Sequence, residues 1–430
     1  MNRRLISLLA ILWGAMGYIH AQNPISPMGV YIADPTARVW SDNKLYIYGS
    51  LDETTKRYCS RIYHTLSTDN LRDWKLHQYS FVNGEILYAP DAICKQGKYY
   101  LYYDTPNGDN FVATSDSPVG PFEDGKKIEG PRQIDPNIFI DDDGQAYFFW
   151  GQFSAKGAKM NPDLKTLDMT TYVDGLVTEK NHNFHEGSFV IKRGKYYYFI
   201  YADIGRNARP TCIGYAMATS PLGPYEYKGV IVDNAGCDPQ SWNNHGSIVQ
   251  YKDKWYVLYH RSTHSSKMMR KACIEPISFN ADGTINEVEM TSQGAGAPLN
   301  AFSRIDAARA CWMQGNVRIR RHADNPLREE LGAFHSGDIA AWKYIDFGQG
   351  ASRATIKVKS ASDGEIILRK DSPTGEIIGQ QTIKAGSEWK HYNMRLKKTK
   401  GVHALWVECR GADENSEKEI FSIDWFEFSK

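Results

Sequence analysis

Five polar side chains open five similar stretches of this chain: Asp34, Asp91, Asp135, Glu186 and His245. Carboxylic acids grouped in threes, as Asp34, Asp135 and Glu186 would be, suit one chemistry well. Cleaving a glycosidic bond with inversion takes an ionised carboxylate to activate water and a protonated acid for the leaving oxygen, roughly 6.5–9.5 Å apart. A third carboxylate beside the acid raises its pKa by like-charge repulsion and can orient it. The sequence holds no Gly-x-Ser-x-Gly elbow, no phosphate-binding P-loop and no His-Glu-x-x-His pair, so serine-hydrolase, nucleotide and zinc-protease chemistries lack their groups.

What must bring these acids together is an internal repeat. Each copy has the polar residue, a short apolar strand, a Gly/Asp/Lys turn and a strand dense in aromatics, such as Tyr99-Tyr100-Leu101-Tyr102-Tyr103 or Tyr196-Tyr197-Tyr198-Phe199. The leading residues lie 57, 44, 51 and 59 positions apart, and a four-stranded propeller blade needs roughly 40–50 residues. Helical periodicity is nearly absent, which argues against an α/β barrel. The pattern predicts an all-β chain whose first part is a five-bladed β-propeller. In a propeller the innermost strands line one central channel, so Asp34, Asp135 and Glu186 would share a pocket although 152 positions separate the first from the last. Trp150 and Tyr88 are candidates to stack on a sugar there. Asp91 reads as a structural hydrogen-bonding group, Asp238 as a competitor for an axial place, and Asp141 to Asp143 as a hairpin turn.

The segments ADPTARVW, LYAPDAI, QIDPNIFIDDDG, FHEGSFV and NNHGSIV resemble those of glycoside hydrolase family 43, across roughly residues 24–300. The resemblance implies Asp34 as general base, Asp135 as pKa modulator and Glu186 as general acid. It implies His245 as an axial histidine beside a calcium ion or water, with no cofactor required, and Arg261 as a sugar-binding arginine. Ser188 departs from the proline that often follows Glu-Gly in the family. The implied activity is that of an inverting exo-glycosidase, foremost an α-L-arabinofuranosidase, with β-xylosidase, β-galactosidase and a non-catalytic carbohydrate-binding propeller as alternatives.

From about Ala301 the aromatic repeat stops and short alternating strands follow, the pattern of a β-sandwich. Gly337-Asp338, Ile345-Asp346-Phe347-Gly348 and Asp424-Trp425-Phe426 resemble a family 6 carbohydrate-binding module, a jelly roll. Trp342 sits where such modules place a sugar-stacking aromatic. Ala307-Ala308 stands where they carry Ala-Glu, and no second Trp occurs from Gly411 to Glu419. The expected organisation is a signal peptide over 1–21, a catalytic propeller over 22–300 and the sandwich over 301–430.

Composition agrees. Charge is balanced, 51 Lys and Arg against 50 Asp and Glu, which gives no pull toward nucleic acid or an anionic membrane. Aromatics make up 13% of the chain, which suits strands and stacking on sugar rings. Arg3 and Arg4 before the apolar run Leu5 to Met16, then Ile19-His20-Ala21, predict a cleaved export signal and a periplasmic or extracellular protein without membrane insertion of the mature chain. Seven scattered cysteines with no Cys-x-x-Cys argue against zinc. Export permits disulfides, and the odd number leaves at least one thiol without an intrachain partner. The expected partner is plant polysaccharide or oligosaccharide.

Overall fold

The computed structural model describes residues 22–238, 243–412 and 418–430. The leader expected over 1–21 lies outside the described residues. Strands dominate, and among the described residues the one α-helix is the single turn Glu179–His182. No helix among them is long and apolar enough to cross a membrane.

Five sheets follow one another as blades. Blades one to four are four-stranded antiparallel meanders, with inner strands Tyr31–Val39, Asp91–Lys95, Asn137–Ile140 and Phe184–Arg193. The fifth has three strands, Ser247–Tyr251, Lys254–Arg261 and Lys271–Ile277. The aromatic strands explain why blades stack. Side chains alternate across a strand, and in Ala146–Trp150 Tyr147 and Phe149 pack toward blade four while Phe148 and Trp150 pack toward blade two. Both faces of a blade are therefore buried, so its central strands read as unbroken apolar runs.

One apolar cluster fills each gap between neighbouring blades, and the ring is complete. Ile32, Leu45 and Ile47 of blade one meet Leu258 and Ile274 of blade five. The seam is sealed further by the start of the described chain. Ile25 N–H donates to Ala272 O at 2.9 Å, and the wholly buried Asn23 side chain bonds Ile274 O at 3.0 Å and receives Ile274 N–H at 2.9 Å. Arg38 locks the axis: it grips Asp91 with two nitrogens, at 3.0 and 2.6 Å, and donates to Ile138 O at 3.0 Å.

From Leu299 onward a twelve-stranded sheet curls over its own core of Ile356, Ile366, Leu405, Phe421 and Phe426. Trp342 belongs to that core. It is 0% exposed and meets Phe426 edge-on at 4.9 Å, so the sugar-stacking role expected of it is corrected: no ring face reaches solvent. All seven cysteines are unpaired thiols, six of them buried, so the disulfides that export would permit are not formed.

Candidate active site

Asp34 and Asp135 are placed by the same local device. Each precedes a proline and each has a left-handed backbone, φ +51° and +63°, a conformation that costs a non-glycine residue energy and clusters at functional sites. The Tyr31–Val39 ladder slips between Ala33 and Thr36, so this bulge turns Asp34 toward the channel mouth. In blade four the ladder slips on both sides of Glu186. There Gly187 takes the left-handed φ of +83°, and a Cβ on it would lie 2.9 Å from His245 Cδ2. Only glycine fits between Glu186 and that imidazole.

These strands deliver Asp34, Asp135, Glu186, His245 and Tyr88 to the walls of one cavity of about 310 Å³. His245 Nδ1 lies 3.6 Å from Asp34 Oδ1 and 4.0 Å from Asp135 Oδ2, so one imidazole spans two blades' acids. Burial lowers the His245 pKa more than the neighbouring carboxylates raise it.

The two aspartates are pushed in opposite directions. Burial alone would raise Asp34, but Arg270, then His245, His260 and the Ser50 hydroxyl, outweigh it and hold this carboxyl below its ordinary range. Arg270 Nη1 donates to Asp34 Oδ1 at 2.8 Å and Ser50 Oγ to Oδ2 at 2.7 Å. His260 Nδ1 accepts the Asp34 N–H at 3.1 Å. Asp135 is raised well above its ordinary value, first by burial, then by Glu186, Asp104 and Asp34, against the Gly187 N–H that it accepts at 2.9 Å. Asp104, fully buried, is raised in the same way and receives Asp135 N–H at 3.1 Å. A carboxylate held low by a guanidinium is suited to act as a base, whereas the raised Asp135 reflects its burial and the other carboxylates crowded around it. Glu186 reaches the cavity with Oε2 taking a hydrogen bond from Gln152 Nε2 at 2.8 Å and facing His185 Nε2 at 4.0 Å.

Two residues expected in this pocket are elsewhere. Arg261 is 2% exposed and donates to Tyr259 Oη at 2.8 Å and Thr291 O at 2.5 Å, because it follows His260 on the strand and so points to the opposite face. Trp150, 1% exposed, packs with Phe148 between blades two and three. The arginine of the cavity is Arg270, which lies in an irregular loop with no motif to mark it. Asp104 and Asp52 did leave a signal: each closes the aromatic strand of its blade. Asp52 holds Arg270 through Nε at 2.8 Å and Nη2 at 2.9 Å. Asp238 is not axial to the pocket; its Oδ1 lies 2.9 Å from Arg318 Nε of the C-terminal domain. Asp91 is structural, held by Arg38 and by Asn137 Nδ2 at 2.7 Å, and Asp141 accepts the Gly144 N–H of its turn at 2.9 Å.

Direct metal ligation does not fit these side chains. Arg270 already occupies the Asp34 oxygen that faces His245, and among the described residues no three His, Cys, Asp or Glu are grouped to hold an ion.

The sequence model of glycosyl hydrolases family 43 matches residues 21–285, and that of carbohydrate binding module family 6 matches residues 306–430. A xylosidase/arabinosidase of Thermoclostridium stercorarium is 28% identical, over 93% of this chain and 98% of that protein. An arabinoxylan arabinofuranohydrolase of Bacillus subtilis (strain 168) is 26% identical, over 93% of this chain and 90% of its own length. Among solved structures, a family 43 β-xylosidase/α-arabinofuranosidase from a compost microbial metagenome, in complex with xylotriose and calcium-free, is 28% identical. It covers 62% of this chain and 98% of its own, with a TM-score of 0.54.

Proposed function

This chain belongs to glycosyl hydrolase family 43, and we propose that it is an inverting, exo-acting enzyme that removes terminal α-L-arabinofuranose from plant xylan. The observation that carries the proposal is geometric: Asp34, gripped by Arg270 at 2.8 Å, lines one cavity with Glu186 and with Asp135, which accepts the Gly187 N–H beside Glu186. In this reading Asp34 takes a proton from water as its oxygen attacks the anomeric carbon. The glycosidic carbon–oxygen bond breaks, and Glu186 gives its proton to the leaving oxygen. Asp135 accepts the amide N–H next to Glu186 and so holds that end of the strand in place. A cavity of about 310 Å³ is at the small end of ligand pockets, which run from roughly 300 to 1,000 Å³, and suits one terminal sugar.

β-Xylosidase is the second reading, because two relatives carry both activities in their descriptions. Calcium held through water beside His245 would brace the channel and take no part in bond cleavage. The polar, apolar and small residues of positions 1–21 support export of the mature chain as part of the same proposal. A panel of p-nitrophenyl arabinofuranoside, xyloside and galactoside tests the function. Arabinofuranoside should turn over fastest, xyloside in its place would select the second reading, and hydrolysis of neither would sink both.

A further inference from the structure

We propose that the C-terminal β-sandwich is a working part of the active site: its hairpin Arg318–His322/Asn325–Phe334 holds the loop that carries Lys267 and Arg270 into the pocket, with Glu329 as a positioning residue. The inference rests on the reading of that pocket given above. Residues 262–270 connect strands Lys254–Arg261 and Lys271–Ile277 of blade five. Both Lys267 and Arg270 line the cavity, and both lie over the Tyr58 ring, at 5.4 and 5.0 Å.

The loop is not one that its own sequence would adopt. His264, Ser265 and Met269 all have left-handed backbones, φ +64°, +51° and +55°, and none is glycine. Such conformations persist only where the surroundings over-determine them. Asp52 of blade one fixes one end, taking the Arg270 N–H at 3.0 Å. Further contacts come from the other domain or from a residue that it braces. Ile319 O accepts His264 N–H at 2.8 Å. Asp238 Oδ2 accepts Ser265 N–H at 3.0 Å while its Oδ1 faces Arg318 Nε at 2.9 Å. Lys271, next to Arg270, forms an ion pair with Glu329. The side chains of Asp238, Arg318, Lys271 and Glu329 are all 5% exposed or less, so water does not weaken these contacts. Ile319, Arg318 and Glu329 come from one paired hairpin, in which Ile319 faces Leu331 and Arg321 faces Glu329. It therefore acts as one rigid clamp.

Three full-length variants test this, read by kcat and KM on a p-nitrophenyl glycoside and by amide hydrogen exchange. Glu329→Gln should lower kcat/KM about tenfold or more, since small misplacements of charged groups cost that much. Exchange should quicken over 262–271 while the blade strands keep their protection. Glu329→Asp, which retains the charge, should recover most of the loss. Folded Glu329→Gln protein with wild-type kcat/KM would overturn the proposal, as would exchange rising evenly through the whole chain. If Glu329→Gln does not fold, Arg318→Met is judged by the same two readouts. Inactivity of the wild-type chain on every glycoside would sink the proposed function alone, because the exchange measurement reads the clamp without turnover.

Discussion

Arg270 and Asp34 form an ion pair at 2.8 Å although 236 positions separate them, with side chains 3% and 7% exposed. A base must be ionised to work, and this guanidinium is the principal group opposing the burial that would protonate it.

The acidic limb of the pH–rate profile should therefore move when Arg270 is neutralised. Because the Asp34 carboxyl is depressed, the wild type stays active to lower pH than an ordinary buried carboxylate would permit. Arg270→Gln should raise the acidic limb of kcat/KM by about 1–3 pH units, the usual effect of an adjacent arginine. An unmoved limb in a folded variant would remove Arg270 from this role.

Asp34→Asn should lose about 10²–10⁴-fold in turnover with folding and sugar binding intact. Glu186→Gln should be comparably slow on natural glycosides yet partly spared on aryl glycosides whose leaving group needs no proton. Equal losses of Glu186→Gln on both substrates would count against it as the acid.

Proton NMR of the sugar released in the first minutes should show inverted anomeric configuration before mutarotation. Retention would mean a covalent intermediate on a nearby carboxylate, and the roles of Asp34 and Glu186 would be withdrawn.

Gly187→Ala forces a Cβ to 2.9 Å from His245 Cδ2 at a φ of +83°. The left-handed backbone alone should cost about 1–2 kcal/mol, measured by thermal or urea unfolding. Turnover should fall by about 10²-fold, because Glu186 and the amide bonded to Asp135 move together. Wild-type kinetics would show that the approach of Gly187 to the imidazole is unimportant.

Trp342→Ala should destabilise the C-terminal domain by about 3–5 kcal/mol, the range for a buried aromatic, in urea unfolding. Unchanged stability with lost affinity for xylan would instead restore the stacking role.

Much of this was legible because propeller blades repeat. Asp34, Asp135, Glu186 and His245 stand at equivalent points of four copies, and equivalence in sequence becomes convergence in space. Residues at unequal points were not legible. Arg261 and His260 are neighbours, yet period-two alternation sends only His260 to Asp34 at 3.5 Å. Trp150 looked like a pocket aromatic because the sequence does not say that both faces of its blade are covered. Arg270 is invisible to pattern reading, since its place depends on a loop held from another domain.

The closure of the ring also bears on how the chain is made. Asn23 and Ile25 seal the seam by binding Ala272 and Ile274 of blade five, about 250 positions later. Synthesis proceeds from the N-terminus, so the earliest-made seam residues must wait, unpaired, until the strand Lys271–Ile277 has left the ribosome. Loop closure over such a span is slow. Closing the propeller therefore ends in a long-range latch, and a tag or fusion abutting Asn23 would burden that step.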